Sequence, residues 1–399
     1  MRWSRRGASR RRSIIRSPQS ACRASSPCCT TCSAPGRAAR CRRRRWGRAG
    51  AARRRIDGMT SVRPHARAPH IGGLPASVVA CIARASGESS LPDPTPHRNE
   101  PMTSSLPNAA SATPSMTSGL AGIVDAAGVA AAMARDAIVW DVRDGASFAQ
   151  GHIPGAVHVP GGERLLRLPT PEEGGELAWV ANSLGEAGLD LDREIIAYGT
   201  RGSPFAYAGA FALRYFGARR VATFHDGIEG WREAGEAIET TGSRRQPVTV
   251  ELRLDPALVI STREVLARLG APDMVLLDVR TPGEFAGTDV RAARGGRIPG
   301  AINIPFEANW RDPETAVKLA RGLVADSTGM RLKPLDELRD LYASLDPAKE
   351  IVVYCQSGVR ATETASVLAE LGFGRVRLYK RSWVEYALQP EAPVATGEA

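Results

Sequence analysis

Cys355 is the residue whose surroundings most clearly favour chemistry. It opens a loop whose remaining members are Gln356, Ser357, Gly358, Val359 and Arg360. An apolar run at 351–354 precedes this loop and a helical pattern follows it, so Cys355 is predicted to lie where a buried strand ends and a helix begins. Ligands bind at that edge of open α/β sheets. Loop N–H groups turned inward, with Gly358 allowing the tight path, and the positive end of the helix would stabilise a thiolate, the nucleophilic form of cysteine.

An alternative interpretation of Cys355 is a buried thiol that only fills space in the core. The strand end, the Ser-Gly turn, the arginine five residues on and the helix that follows favour the nucleophile, because geometry and charge both indicate a functional site. Arg360 is predicted to supply a fixed positive charge, either for an anionic substrate or to hold the loop in shape.

The chain carries one sequence pattern twice. DVR at 141–143 is followed by GHIPGAVHVP at 151–160, and DVR at 278–280 by GRIPGAINIP at 296–305. EIIAYG at 194–199 then matches EIVVYC at 350–355. Separations of 137 to 156 residues indicate a duplicated domain rather than a short-period repeat. The alignment places Gly199 opposite Cys355, so the first copy is predicted to be non-catalytic, to wall the site and to stabilise the second copy.

Within each copy, short apolar runs alternate with helical patterns, which predicts an α/β fold with two parallel sheets flanked by helices. The runs at 274–279 and 351–354 are predicted to be buried strands. Helices are predicted at 261–269, opened by a capping box of Ser261 and Glu264, at 334–345 and at 361–371. We therefore predict domains at 119–239 and 256–394, joined by a linker at 240–255.

The net positive charge of the chain comes from the N-terminal segment 1–118. The chain has 53 lysines and arginines against 42 acidic residues, but 22 of the arginines and only four of the acids lie in this segment. It lacks Phe and Tyr, so we predict that it is disordered. Three interpretations stay open: an arginine-rich arm for nucleic acid, a targeting peptide, or upstream DNA that is not natively translated, with a start at Met102 or Met116. Arginine without any lysine favours the third, so nucleic-acid binding is not expected.

The other six cysteines all lie in that basic segment. The globular part can therefore form no internal disulfide, which fits a reducing compartment such as the cytoplasm. Cys28, Cys29 and Cys32 are not followed by histidine or a cysteine pair at ligand spacing, so no metal site is predicted. No apolar stretch approaches the roughly 20 residues that a membrane-spanning helix needs.

Cys-x-x-Gly-x-Arg after a hydrophobic strand resembles the active loop of rhodanese domains, and Asp-Val-Arg followed by Ile-Pro-Gly-Ala is similar to earlier motifs of that family. Two copies with the nucleophile only in the second resemble thiosulfate and mercaptopyruvate sulfurtransferases over residues 119–394. The resemblance implies two tandem rhodanese folds, a persulfide on Cys355 and no metal or organic cofactor. It also implies a small anionic sulfur donor and a thiol, cyanide or protein as acceptor. Cysteine phosphatases place five residues between cysteine and arginine, whereas four intervene here, so phosphatase activity is not expected.

Further candidate residues lie outside the loop. Glu284 stands where the long-chain branches of the family usually have arginine, and Arg360 where they have threonine, so we predict a salt bridge between the two under the loop. Arg280 and Arg297 are predicted either to help attract an anion or to form ordinary surface pairs. Lys380 stands shortly before the tryptophan that closes the second copy and is predicted to add positive charge near the mouth of the site.

His152 lies in the GHIPGA turn of the first copy. The resemblance to mercaptopyruvate enzymes would give it a part in a proton relay with the loop serine, here Ser357. We favour the alternative that His152 fixes its turn, because polar side chains at such turns commonly satisfy backbone groups.

Thiosulfate is the predicted sulfur donor, and two alternatives stay open. Mercaptopyruvate is one, because Gln356 and Ser357 are neutral where thiosulfate enzymes often carry basic residues. A persulfide-relay or regulatory module with a protein acceptor is the other, since its loop chemistry would be the same.

Overall fold

The computed structural model describes residues 122–171, 174–242 and 244–397. The predicted disordered segment 1–118 lies outside these ranges. Within them, two five-stranded sheets follow one another along the chain, and every strand pair is parallel. The predicted fold class of two parallel α/β sheets is confirmed.

The first sheet has the strand order β1-β5-β4-β2-β3. Its strands are β1 (Ile123–Val124), β2 (Ile138–Asp141), β3 (Val157–His158), β4 (Glu194–Tyr198) and β5 (Arg220–Phe224). Its helices are α1 (Ala126–Ala134), α2 (Gly145–Gln150), the 3₁₀ helix Gly162–Arg167, α3 (Gly174–Glu186), α4 (Phe205–Tyr215) and α5 (Gly227–Glu233). The central strands β2 and β4 are almost continuously apolar because helices cover both faces of the sheet.

The second sheet repeats this order as β6-β10-β9-β7-β8, as a duplicated domain requires. Its strands are β6 (Val259–Ile260), β7 (Met274–Asp278), β8 (Ile302–Asn303), β9 (Glu350–Tyr354) and β10 (Val376–Tyr379). Its helices are α6 (Thr262–Ala267), α7 (Pro282–Ala286), α8 (Thr315–Ala320), α9 (Leu335–Leu341), α10 (Val359–Glu370) and α11 (Ser382–Tyr386). Short 3₁₀ helices occur at Pro256–Leu258, Phe306–Asn309 and Thr328–Met330.

All three predicted helices end earlier than the sequence pattern indicates, and α10, predicted at 361–371, also begins earlier, at Val359. The capping box that opens α6 is present, with Glu264 N–H donating to Ser261 Oγ and Ser261 N–H to the Glu264 carboxylate, but the helix ends at Ala267. Helix α9 ends at Leu341, because Leu345 N–H closes a separate turn on the carbonyl of Tyr342 at 3.0 Å.

The predicted linker at 240–255, apart from Ser243, contains no helix or strand and runs along the first domain. Val248 N–H donates to the carbonyl of Gly185, and Arg253 N–H to that of Phe216. A Cβ atom at Gly185 would lie 2.4 Å from the Val248 carbonyl oxygen, so glycine is required for this close approach. The linker is therefore fixed by backbone contacts rather than by an element of its own.

The two domains share an apolar core. One cluster of buried side chains contains Trp140 and Phe211 of the first domain together with Leu277 and Val353 of the second. Helices α4 and α10 pack against each other, and the Glu370 carboxylate at the end of α10 accepts from the N–H groups of Gly122 and Ile123. Helix α10, which follows the Cys355 loop, is thereby anchored to both sheets. No helix within the described ranges is long and apolar enough to cross a membrane.

Candidate active site

Cys355 lies at the carboxyl end of β9, between the neighbouring strands β7 and β10. Its side chain is 1% exposed, and Gly358 N–H donates to its Sγ at 3.1 Å. Helix α10 begins at Val359, the residue after Gly358. Gly358 has a φ of +97°, and a Cβ atom there would lie 2.5 Å from the carbonyl oxygen of Lys380, so only glycine gives this loop its path.

The backbone of Cys355 is fixed by the turn that opens α11. Ser382 Oγ accepts from Cys355 N–H at 3.2 Å and donates to the Tyr379 carbonyl at 2.7 Å, while Trp383 N–H donates to the Cys355 carbonyl. Ser382 has a φ of +50°, which is rare for a residue with a side chain. The first copy has Gly227 in this place, with a φ of +55°, and that repeat partner is the signal by which sequence reasoning could have found Ser382.

The side chains of the loop differ in exposure. Ser357 is exposed, whereas Gln356 is half-buried and donates from Nε2 to the carbonyl of Arg291 at 2.9 Å. Gln356 Oε1 is shielded from solvent and has no hydrogen-bond partner among the described residues. The loop therefore opens to solvent at Ser357.

The predicted salt bridge between Glu284 and Arg360 is confirmed. The two side chains are buried and joined by two hydrogen bonds of 2.8 Å each. Burial alone would raise the pKa of Glu284, but hydrogen bonds and charge from Arg360 lower it to about 2. Burial likewise opposes the charge on Arg360, and Glu284 outweighs it by raising the pKa of the guanidinium above its ordinary value. Arg360 is thus committed to Glu284 beneath the loop.

Arg280 and Arg297 make internal contacts that match support rather than anion capture. Arg280 is 1% exposed, pairs with Asp278 at 2.6 Å, donates to the Gly296 carbonyl at 2.8 Å and lies over the ring of Trp383. Arg297 is 9% exposed and donates to the carbonyl of Gly397 at 2.6 Å. The predicted alternative of ordinary surface pairs is wrong for both residues, because both side chains are buried and donate to backbone carbonyls of the second domain.

Lys380 and His152 are also held by other groups. Lys380 Nζ donates to the carbonyl of Leu168 in the first domain at 2.7 Å, which places its charge at the interface between the domains. His152 is fully buried, stacks on Phe148 and lies 2.9 Å through Nδ1 from the Phe148 carbonyl. These contacts match the predicted structural role of His152 and give no link to Ser357.

The loop of the first domain has the same path and different chemistry. Gly202 has a φ of +72°, matching Gly358, and the Gly199 carbonyl accepts from Ile228 N–H as the Cys355 carbonyl does from Trp383 N–H. Three carboxylates surround this loop. They belong to Asp226 and Glu233, which bind the Arg201 guanidinium, and to Glu229, which accepts from Arg201 N–H at 2.9 Å. Arg331 of the second domain also pairs with Glu233 and lies 3.9 Å from Asp226, so two guanidinium groups face three carboxylates, and the one remaining negative charge disfavours an anionic substrate.

Two carboxylates behind the Cys355 loop, that of buried Glu363 and that of half-buried Glu307, were missed by sequence reasoning. Glu363 on α10 is fully buried and accepts from Trp310 Nε1 at 3.0 Å, and Glu307 lies in the 3₁₀ helix after β8. The Oε2 atoms of Glu307 and Glu363 are shielded and have no hydrogen-bond partner in the described part of the chain. Burial raises the pKa of Glu307 to about 7 and that of Glu363 to about 8. No sequence signal distinguishes these glutamates from exposed ones.

Across residues 122–171, 174–242 and 244–397, no three His, Cys, Asp or Glu side chains form a group that could hold a metal ion. The site is therefore built from a thiol, backbone N–H groups and a buried ion pair. A buried thiol at the carboxyl edge of a parallel sheet, held at a helix N-terminus, defines a cysteine-dependent α/β site.

The family model of the rhodanese-like domain matches residues 125–234 and again residues 261–389. The chain belongs to the rhodanese family. Its second match contains Cys355 and the pair of Glu284 and Arg360, and its first contains the thiol-free loop at Gly199.

Curated relatives match at similar identity. A thiosulfate sulfurtransferase of Azotobacter vinelandii is 31% identical over 264 residues, which are 65% of this chain and 92% of that protein. A thiosulfate sulfurtransferase of Pseudomonas aeruginosa is 31% identical over 265 residues, with the same coverage. A probable 3-mercaptopyruvate sulfurtransferase of Pseudomonas aeruginosa is 31% identical over 266 residues, 63% of this chain and 86% of that protein.

Solved structures show the same fold. The anaerobic ergothioneine biosynthesis enzyme from Chlorobium limicola is 24% identical with a TM-score of 0.55, covering 69% of this chain and 70% of that one. The wild-type structure of EanB is 24% identical with a TM-score of 0.54, covering 69% of each chain. At this identity the likeness concerns the fold alone.

Proposed function

We propose that this protein is a sulfurtransferase that takes sulfane sulfur from thiosulfate onto Cys355 and passes it to a thiophilic acceptor such as cyanide or a thiol. The observation that carries this proposal is the 3.1 Å hydrogen bond from Gly358 N–H to Cys355 Sγ at the start of α10. An N–H group and a helix N-terminus stabilise negative charge on sulfur, first on the attacking thiolate and then on the persulfide. The two relatives named thiosulfate sulfurtransferase support thiosulfate as donor.

The reaction proceeds in two displacements. The Cys355 thiolate attacks the outer sulfur of thiosulfate, the S–S bond of the donor breaks, and sulfite leaves with the electron pair. The persulfide then carries the negative charge on its terminal sulfur. A cyanide or thiolate acceptor attacks that sulfur, and Cys355 departs as the thiolate with which the cycle began. Neither step needs a metal or an organic cofactor.

Arg360 and Glu284 serve this chemistry by holding the loop. The guanidinium places positive charge under the loop, and the carboxylate fixes its position through two hydrogen bonds. Exposed Ser357 stands where donor and acceptor enter. The single thiol of the described part suits a reducing compartment, and we place the reaction in the cytoplasm on that ground.

Mercaptopyruvate is the second candidate donor, and two observations favour it. The loop offers no cation beside the sulfur other than Arg360, which is bound to Glu284, while Gln356 is held by the Arg291 carbonyl. One relative is named a probable 3-mercaptopyruvate sulfurtransferase. In that reaction pyruvate leaves instead of sulfite, and the persulfide on Cys355 is the same.

Steady-state kinetics with each donor, paired in turn with cyanide and with a dithiol, separate these candidates. We expect a larger kcat/KM for thiosulfate than for mercaptopyruvate, and complete loss of both activities in Cys355→Ser. Ser183→Ala on α3, a hydroxyl removed outside the loop, serves as the control and should match wild type. Transfer that survives Cys355→Ser would refute the proposal, and a larger kcat/KM for mercaptopyruvate would reassign the donor. Turnover with neither donor, while a persulfide still forms, would favour a relay to a protein acceptor.

A further inference from the structure

The first domain contains a cavity beside its thiol-free loop, the repeat partner of the Cys355 loop. Its volume is about 270 Å³, near the lower end of the range for small-molecule sites. It opens at the carboxyl edge of β2 and β4, the edge at which parallel sheets bind ligands. Its apolar walls are formed by Trp140, Val142, Val159, Leu166 and Phe205.

Polar groups accompany this apolar surface. Thr200 and Ser203, from the thiol-free loop, and His158, at the end of β3, line the cavity. His158 Nδ1 is shielded from solvent and has no hydrogen-bond partner in the part of the chain that the structure describes. Because this nitrogen is shielded, the uncharged polar groups available to a ligand in the cavity are the hydroxyl groups of Thr200 and Ser203.

The charges around the cavity do not suit an anion. Arg143 lines it, but its guanidinium pairs with Asp141 at 2.6 Å and donates to the Gly151 carbonyl at 2.7 Å. The remaining charged lining residues are the acids Asp144 and Glu163. An anionic sulfur donor is therefore disfavoured here, and an uncharged molecule is favoured.

One segment of the first domain, which includes Leu166 and Leu168, lies between the cavity and the Cys355 loop and contacts both. Leu166 lines the cavity and also a small crevice that contains Gly358 and Lys380. Two residues on, the Leu168 carbonyl accepts from Lys380 Nζ at 2.7 Å. The backbone of Lys380 packs against Gly358, the residue whose N–H group holds the Cys355 sulfur.

We propose that the first domain binds a small, uncharged aromatic molecule in this cavity, and that its occupancy changes the reactivity of Cys355 through Leu166 and Lys380. The ring of the ligand packs on Trp140 and Phe205, and its polar group bonds to Thr200 or Ser203. The duplicated domain has thus exchanged a thiol site for a ligand site.

Calorimetric titration with indole, an uncharged ring carrying one N–H group, tests the site on the full chain. The cavity-filling variant is Gly162→Leu, because a Cβ atom at Gly162 would lie 3.6 Å from Trp140 and 3.7 Å from Val159 in ordinary contact. The matched control is Gly175→Leu on α3, where a Cβ atom meets nothing within 4 Å. We expect indole to bind wild type and the control equally, and to bind Gly162→Leu at least about tenfold more weakly because the space is filled.

A second variant guards against misfolding of the first. Thr200→Val keeps the shape of the wall and removes a hydroxyl, and should change indole affinity while leaving the unfolding midpoint near that of wild type. Absence of indole binding to wild type, or equal binding to wild type and both cavity variants, would overturn the site.

For the coupling, we expect saturating indole to change the rate of Cys355 alkylation by iodoacetamide in wild type and not in Gly162→Leu. Binding with an unchanged alkylation rate would overturn the coupling. Both readouts are independent of sulfur transfer, so they stand whether or not the proposed activity does.

Discussion

At the scale of single residues, hydrogen bonds from neighbouring groups hold the Cys355 thiol and backbone in place, and the Glu284 carboxylate holds the Arg360 guanidinium. Gly358 N–H reaches Cys355 Sγ, and Ser382 Oγ fixes Cys355 N–H, so sulfur and backbone are held from both sides. Arg360 adds positive charge under the loop, but its guanidinium donates its hydrogen bonds to Glu284. Arg360 therefore stabilises the loop first, and acts on the substrate through the loop.

Glu284→Gln tests this assignment. The change leaves the Arg360 charge buried without its counter-ion, so we expect a loss of about 3 kcal/mol in the free energy of unfolding, measured by urea denaturation at pH 7. The control is Glu176→Gln, which removes the partner of Arg164 in an exposed pair and should cost under about 1 kcal/mol. Equal losses in the two variants would mean that the buried pair does not support the loop.

The buried Glu363 predicts a pH dependence of stability. Its pKa is raised to about 8 in the folded protein from an ordinary value near 4.5, so stability is full below that ordinary value and is lost as pH rises through about 8. Glu363→Gln keeps an acceptor for Trp310 Nε1 and cannot ionise. We expect it to exceed wild type by on the order of 5 kcal/mol at pH 9 and to approach it near pH 5. The same difference at both pH values would contradict the buried, protonated carboxyl group.

At the scale of elements, the two copies show how one strand–loop–helix unit supports different chemistry. In the second copy, β9 and α10 enclose a loop in which Gly358 N–H donates to the Cys355 sulfur, and Trp383 N–H of α11 donates to the Cys355 carbonyl. In the first copy, α5 directs three carboxylates at the equivalent loop. Met330 of the second domain also lies against this loop, since a Cβ atom at Gly202 would be 2.5 Å from its sulfur. The glycine geometry is retained, but the first-domain loop lacks the thiol and is bordered by carboxylates that pair with Arg201 and Arg331.

Restoring a thiol to the first copy should therefore not restore chemistry there. In Gly199→Cys combined with Cys355→Ser, the introduced thiol faces the negative charges around Arg201, so we expect no uptake of sulfur from thiosulfate. A Cβ atom at Gly199 would lie 3.4 Å from Val142, a contact that a small shift accommodates, so the variant should fold. Peptide mass spectrometry reads the result, with Gly199→Cys alone as the positive control through Cys355. Sulfur on the introduced thiol would show that the loop path suffices without its charges.

At the scale of the whole molecule, we expect the domains to unfold as one cooperative unit, because a single apolar cluster includes side chains of both sheets. Lys380 and Glu370 of the second domain also bond to backbone groups of the first. The catalytic helix α10 thus depends on the domain that lacks the thiol.

Thermal unfolding followed by two probes tests this cooperativity. Fluorescence of the buried tryptophans reports both domains, and the alkylation rate of Cys355 reports the second alone. We expect one midpoint for both probes, because unfolding either domain exposes the shared core. Midpoints separated by more than the experimental error would show that the domains unfold independently.

The sequence patterns predicted what depends on local or repeated information. The capping box of α6, the strands β7 and β9, the loop at Cys355 and the pairing of Glu284 with Arg360 are all in the structure, because each leaves a short motif or a matched departure from a family pattern.

Features made by segments distant in sequence were not predictable in this way. Lys380 was predicted only to add positive charge near the mouth of the site, and its hydrogen bond to the Leu168 carbonyl, more than two hundred residues away, has no signal in the sequence. The burial of Glu363 depends on the 3₁₀ helix after β8, and nothing in its own helix distinguishes it from an exposed glutamate.

Intact and peptide mass spectrometry after incubation with thiosulfate measures the central claim directly. We predict that the protein gains the mass of one sulfur atom, that the gain maps to Cys355, and that cyanide removes it with formation of thiocyanate. Cys355→Ser should gain nothing under the same conditions. An unmodified Cys355 after thiosulfate and after mercaptopyruvate, or added sulfur that cyanide does not discharge, would contradict the account.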